Sequence, residues 1–243
     1  MEVLGIDIGG SGIKGAPVNI QDGILLSERF RIATPNPSTP KAVAHSISKI
    51  TKHFNWKGQI GCGFPAVIHG GKVLTASNID KGWIGINVVE LFQEVTNCKT
   101  NVLNDADAAG LAEMEFGSGR NYDGVVMIIT VGTGLGTSLF THRKLLPNTE
   151  LGHLLLDGVI AEHYASDGVR KKLDLSWKKW TKRFNKYLAE IERLLWPDLI
   201  IIGGGISKKY DKFGKYLKCG TQIIPAQLQN EAGIIGAALS IRE

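Results

Sequence analysis

The chain has 243 residues, 43% of them hydrophobic and 21% charged, with a mean hydropathy of +0.01. That composition excludes a disordered, collagenous or disulfide-framework protein and leaves a globular chain with room for one large domain or two modest ones. A net charge of +5 leans toward an anionic partner without separating nucleic acid, membrane and phosphorylated substrates.

Cys62, Cys98 and Cys219 are odd in number, far apart and in no metal-ligand spacing. They fit a reducing compartment and argue against disulfides or a Cys-built zinc site. No apolar run reaches bilayer length. The chain opens almost directly on Val3-Leu4-Gly5-Ile6, without the charged region and cleavage site of a signal peptide. A cytoplasmic protein without a membrane partner is expected.

Val3 to Ile8 reads as a buried strand, followed by the turn Gly9-Gly10-Ser11-Gly12-Ile13-Lys14-Gly15. Gly10, Gly12 and Gly15 spell GxGxxG, but a dinucleotide site needs a helix to start here. Pro17 would lie inside that helix, so Ala16 to Ile20 reads as a second strand and the unit as strand–turn–strand. Backbone N–H groups of such a turn, with Ser11 and Lys14 beside Asp7, suit phosphate and a magnesium ion. Ile24 to Ile32 reads as a third strand, and Thr34 to Pro40 as a stiff connector. Val43, Ile47, Ile50 and Phe54 fall at helical spacing within Lys41 to Phe54. Ile60 to Pro65 is a strand entering a loop. In the polar stretch Ser77 to Trp83, Asn78 either holds a turn or meets a sugar hydroxyl, with Trp83 as a pocket wall.

Val102-Leu103 ends another strand, and Ala106 to Glu113 favours helix. Asn104 or Asp105 would cap that helix. A carboxylate at a strand end and helix start also stands where open α/β sheets put ligands. Asp105 is therefore a helix cap or a reactive base. Val125 to Thr130 is a buried strand leading into Val131-Gly132-Thr133-Gly134-Leu135-Gly136, and Thr137 to Phe140 resumes strand character. The strand–turn–strand plan thus recurs, which suggests two related α/β halves forming a phosphate clamp. Glu150 and His153, in the loop Glu150-Leu151-Gly152-His153, either bond backbone or carry function, and Glu162, nine positions on from His153, is consistent with a surface charge.

Trp177, Trp180, Phe184, Leu188, Ile191 and Leu195 share one helical face, so these aromatics read as core and the intervening lysines as solvent-facing. Pro197 to Ile202 is a buried strand ending in Gly203-Gly204-Gly205, with Lys208, Lys209, Lys212, Lys215 and Lys218 beyond it. Ala232 to Ile241 reads as a small-residue helix packed closely through Gly233 and Gly236. Neither Gly71-Lys72 nor Gly214-Lys215 continues into a Walker A loop, and no zinc-finger, helix-turn-helix or RNA-recognition pattern is present.

The ordered set Asp7 to Lys14, Asn104-Asp105, Gly132 to Gly136, Glu150 to His153 and Gly203 to Gly205 resembles the ROK family of sugar kinases, among the actin-like, ribonuclease H-like phosphotransferases. Asn78 to Trp83, Pro147 to His153 and Trp177 to Trp180 resemble the branch that phosphorylates glucose from inorganic polyphosphate. The resemblance implies an α/β, two-lobed actin-like fold with a sugar cleft between the lobes: a small lobe of 1–107 plus 230–243 and a large lobe of 108–229. It implies Asp105 as general base for the glucose 6-hydroxyl. Asn78, Asn104, Asp105, Glu150, His153 and Glu162 would hold the sugar. Asp7, Gly9, Gly10, Ser11, Gly12, Lys14, Thr133, Gly134, Gly204 and Gly205 would cradle phosphate. Asp7 would hold magnesium, directly or through water.

Many ROK proteins carry a Cys-rich zinc loop that Leu154 to Ala161 lacks, so no zinc site is expected. Lys178, Lys179, Lys182 and Lys208 would form a polyphosphate track, with ATP as a further donor. A homodimer is implied, and no nucleic-acid partner. The rivals are an ATP-dependent kinase for another sugar, a catalytically silent sugar-binding protein, and a nucleic-acid binder suggested only by charge.

Overall fold

The computed structural model describes residues 1–77 and 79–242. The chain falls into two compact units, Met1–Ala112 with Glu231–Glu243, and Glu113–Asn230. The first boundary therefore lies within the helix Asp105–Glu115 rather than after 107. Packing explains this. A Cβ at Gly236 would run into the carbonyl oxygen of Ala108, so the terminal helix Ala232–Leu239 holds the first turns of the Asp105 helix in the first unit.

The first unit is built on a six-stranded sheet. Glu2–Gly9 and Gly12–Asn19 form an antiparallel hairpin, with Asp7 opposite Lys14 and Gly9 opposite Gly12. Ile60–Phe64 joins Glu2–Gly9 in parallel, and Thr100–Asn104 joins Ile60–Phe64 in parallel. The strand expected over 24–32 is two short ones, Ile24–Leu25 and Phe30–Ile32, both paired with Gly12–Asn19. Ser27, Glu28 and Arg29 between them are exposed and polar, with no buried face to hold a continuous strand. The helix Pro40–His53 starts with Thr39 accepting the Ala42 N–H and with proline at its first position, and it buries Val43, Ile47 and Ile50. Trp83, Phe64 and Phe92 fill the centre of this core in edge-to-face and tilted contacts. Each such side chain contributes about 1.5–3 kcal/mol by burial.

The second unit repeats the plan. Val125–Val131 and Leu135–Thr141 form the hairpin, Lys144–Leu146 extends it, and Leu199–Gly203 and Gln222–Pro225 add in parallel on the other side. The helix Trp177–Leu195 begins at Ser176, whose hydroxyl accepts the Lys179 N–H. It buries Trp180, Phe184, Tyr187, Leu188 and Ile191 in a cluster with Met127, Ile129, Ile200 and Ile202 of the sheet. Trp177 and Leu195, at the ends of the expected apolar face, are only partly buried. The terminal helix is shorter than its composition suggests: it ends at Leu239, and Ser240–Arg242 is a 3-10 turn. No helix among the described residues is long and apolar enough to cross a membrane.

Candidate active site

In the first unit the hairpin turn carries the predicted phosphate groups. The Lys14 ammonium lies 3.2 Å from the Asp7 carboxylate, and both are part-buried. Gly233, in the first turn of the terminal helix, packs directly on that carboxylate. Thr34 donates its hydroxyl to the Gly9 carbonyl at 2.6 Å, tying the connector to the turn. A cavity of about 270 Å³ adjoins Gly9 and Gly10 and is lined by Thr34, Phe64, Pro65 and Trp83. Trp83 walls it from the core side: the indole is fully buried and donates to the Ser38 carbonyl at 2.8 Å. Asp80 caps the 3-10 turn Lys81–Trp83 through the Gly82 N–H. Asn78, expected to meet sugar, lies outside the described residues.

Asn104 and Asp105 close the parallel strand Thr100–Asn104 and open the next helix. Asn104, the last residue of the strand, is the cap: its Oδ1 accepts the Ala106 and Asp107 N–H groups at 2.9 and 3.2 Å. Asp105 is the first helical residue and remains partly exposed, next to Gly63 of the neighbouring strand.

In the second unit several predicted pieces meet around Gly132-Thr133-Gly134. A Cβ on Gly134 would run into the Glu162 carboxylate, a Cβ on Gly168 into the Thr133 carbonyl, and a Cβ on Gly204 into the Val131 backbone. Gly205 follows Gly204 and is exposed. Glu162 in turn lies 3.7 Å from Nε2 of His153, and Nδ1 of His153 lies 3.5 Å from Glu150. The carboxylates and imidazole that the sequence separates by twelve positions therefore form one cluster beside the second turn. Burial pushes the Glu150 carboxyl above the ordinary range; His153 opposes this and the charge of Glu162 adds to it.

Two neighbours of this cluster carried no sequence signal. His163 places Nε2 3.5 Å from Glu162. The buried hydroxyl of Thr137 donates to the Thr149 carbonyl and accepts the Leu151 N–H at 3.2 Å, so it clasps the backbone on both sides of Glu150. The Cys-free interval after His153 folds as the small hairpin Leu155–Leu156 and Val159–Ile160. Among the described residues no group of three or more His, Cys, Asp or Glu is arranged to hold a metal ion. Asp7, a single carboxylate beside a phosphate-type turn, suits magnesium, which takes one or two protein carboxylates and completes its shell with phosphate and water.

The basic stretches belong to this unit too. Lys178, Lys179, Lys182 and Lys208 are exposed. Lys178, Lys182 and Lys186 recur every four residues, about 6 Å apart along the helix. Lys186 is tied to Asp157 at 2.9 Å. Arg170 and Lys171 are tied to Asp167, at 2.6 and 2.8 Å. Burial pushes the Asp167 carboxyl up, but hydrogen bonds from Lys171 and Arg170 more than offset it and hold it below its ordinary value. Trp177 stacks on Phe213, with ring centres 5.8 Å apart, and Tyr210 meets Phe213 edge-on. That aromatic stack joins the basic helix to the lysine-rich segment after Gly205.

Two sheets of one plan, each with a glycine turn inside its hairpin, define an actin-like, ribonuclease H-like α/β protein of the phosphotransferase class. The chain belongs to the ROK family, whose pattern matches residues 3–168. It is 46% identical over 238 residues to the polyphosphate glucokinase of Mycobacterium tuberculosis, covering 98% of this chain and 90% of that one. The inorganic polyphosphate/ATP-glucomannokinase of Arthrobacter sp. strain KM superposes with a TM-score of 0.96 at 42% identity, over 99% of this chain and 98% of that one. A ROK family glucokinase from Streptomyces griseus, solved with glucose and AMPPNP, superposes at 0.85 with 25% identity over the full length of both.

Proposed function

We propose that this enzyme transfers a phosphoryl group from inorganic polyphosphate to the 6-hydroxyl of glucose. The observation that carries the reading is likeness to a polyphosphate glucokinase along nearly the whole chain, in a chain that has two glycine turns, Asn104-Asp105 and a Glu150–His153–Glu162 cluster. Asp105 takes the hydroxyl proton as the new O–P bond forms, and the phosphoanhydride bond breaks to leave a chain one phosphate shorter. A loose transition state asks little of the base beyond its position. Glu150, His153 and Glu162 receive sugar hydroxyls, as do Asn78 and Asn104; a sugar lacking one hydroxyl leaves a polar partner unpaired. The turns at Gly9 to Gly12 and at Thr133-Gly134, with Lys14, Gly204 and Gly205, hold phosphate. Asp7 would hold magnesium, directly or through water, and the ion would supply positive charge against the phosphates. Lys178, Lys179, Lys182 and Lys208 bind the rest of the polyanion. The enzyme acts as a cytoplasmic homodimer, a state that light scattering measures directly.

The deciding experiment is glucose phosphorylation with long-chain polyphosphate and with ATP side by side; faster turnover with ATP under every condition sinks the donor assignment. A second reading is a broader enzyme that uses ATP and mannose as well. The Arthrobacter relative is a polyphosphate/ATP-glucomannokinase, and mannose in the same assay tests this reading.

A further inference from the structure

The first glycine turn holds a cation that no motif singles out. Arg31 lies on the short strand Phe30–Ile32, opposite Lys14, just as Lys14 lies opposite Asp7. Residues directly opposite in a sheet project from the same face. Asp7, Lys14 and Arg31 therefore form a charged row across three adjacent strands, about 4.8 Å from one strand to the next. Lys14 is already compensated by Asp7. Arg31 is exposed, and among the described residues no carboxylate lies within ion-pair distance of it. Its Nη2 donates to the carbonyl of Ser11, at the tip of the turn, at 2.7 Å. Its guanidinium covers Gly12: a Cβ there would stand 2.6 Å from Nε and 2.8 Å from both Cζ and Nη2. Gly12 does not occupy the left-handed region, and a Cβ there would displace the guanidinium from its seat on the turn.

We infer that Arg31 binds the phosphoryl donor: it braces the Ser11 tip with one edge and offers its other N–H groups to the phosphate next to the one cradled by the turn. This rests on the phosphotransfer reading above. Lys14 shares its charge with Asp7 at the turn, whereas Arg31 adds a positive charge with no carboxylate beside it among the described residues. The guanidinium has five N–H donors in a planar fork that matches two phosphate oxygens, and the Ser11 carbonyl takes one of them. Its exposed place at the sheet edge suits a linear phosphoanhydride chain that continues into solvent.

The test compares the unaltered enzyme with Arg31→Ala and Arg31→Lys, using long-chain polyphosphate, ATP and glucose at several salt concentrations, with thermal unfolding in parallel. Loss of a charge-assisted contact should raise the polyphosphate KM about ten- to a hundred-fold in Arg31→Ala. The glucose KM should stay within about twofold, and log KM for polyphosphate should rise less steeply with log salt, because one cation fewer meets the polyanion. Arg31→Lys should keep the salt slope but recover only part of the KM, since an ammonium lacks the fork. If Tm falls while donor KM and salt slope stay put, Arg31 is a brace alone and the inference is overturned. If the unaltered enzyme ignores polyphosphate, the donor reading fails first. Arg31 is then judged on ATP, where a raised donor KM supports it and an unchanged one sinks it.

Discussion

Asn104 caps the helix that Asp105 begins. Its Oδ1 takes the N–H groups of Ala106 and Asp107, and its Nδ2 donates to the Ala66 carbonyl at 3.2 Å. Cap and carboxylate thus sit on consecutive residues, and mutation can separate them. Asp105→Asn should keep the fold and glucose binding while turnover falls by about 10² to 10⁴ if base catalysis alone is lost. Asn104→Ala should instead lower stability by roughly 1 kcal/mol or more, since it removes the cap and leaves the Ala66 carbonyl without its donor. Near-normal kcat in Asp105→Asn would return that residue to a structural part.

Thr137 gives a cleaner test of how Glu150 is held. Its hydroxyl bridges the Thr149 carbonyl and the Leu151 N–H, and its side chain is buried. Thr137→Val keeps the shape and removes the bridge, which costs about 1–3 kcal/mol where buried partners are left unpaired. Tm should fall, and the glucose KM should rise by more than the polyphosphate KM. Equal changes in the two constants would mean that the bridge stabilises the fold without aiming Glu150.

The pH dependence of Glu150 has a definite sign. Its carboxyl is raised in the folded protein, first by burial, with His153 opposing and Glu162 adding. A raised folded value favours the protonated form, so its stabilising contribution is fully present below the ordinary glutamate value and is lost as pH rises through the folded one. Glu150→Gln should therefore match the unaltered protein's stability in acid and exceed it at neutral pH. The gain is small, because the Glu150 side chain is 39% exposed. Thermal melts from pH 3.5 to 7.5 check it; a gain that shrinks as pH rises contradicts the reading. The same substitution should raise the glucose KM.

The legible features of this chain were those that local chemistry dictates. Both hairpins could be read because Pro17 forbids a helix after Gly15 and because Val125 to Thr130 is apolar without interruption. The capping at Asn104-Asp105 was readable as a pair, but only the backbone geometry says which residue does it. Arg31 and Thr137 were invisible because their significance is a register. Arg31 gains it from standing opposite Lys14, and Thr137 from a loop that returns twelve residues later. The stretch 24–32 misled because Ile24, Leu25 and Leu26 are β-formers, while Ser27 to Arg29 have nothing to bury.

The lysines of the long helix supply the last prediction. Lys186, Arg170 and Lys171 are held by Asp157 and Asp167. Lys178, Lys179 and Lys182 form no ion pair among the described residues and stand exposed on the helix whose Trp177 stacks on Phe213, within the second basic segment. One exposed contact contributes about 0–1 kcal/mol. A row of cations against a row of phosphates sums these contributions and also speeds encounter. Such a row is screened over a Debye length of about 8 Å at physiological ionic strength. Lys178→Glu, Lys179→Glu and Lys182→Glu together should raise the polyphosphate KM most for long chains, flatten its dependence on salt and leave the glucose KM and Tm unchanged. The mechanism also predicts a graded response to chain length, since a donor too short to reach the helix has nothing to lose there. If short and long chains suffer alike, the lysines act only through the general field of the protein; if neither suffers, they are a solvated face.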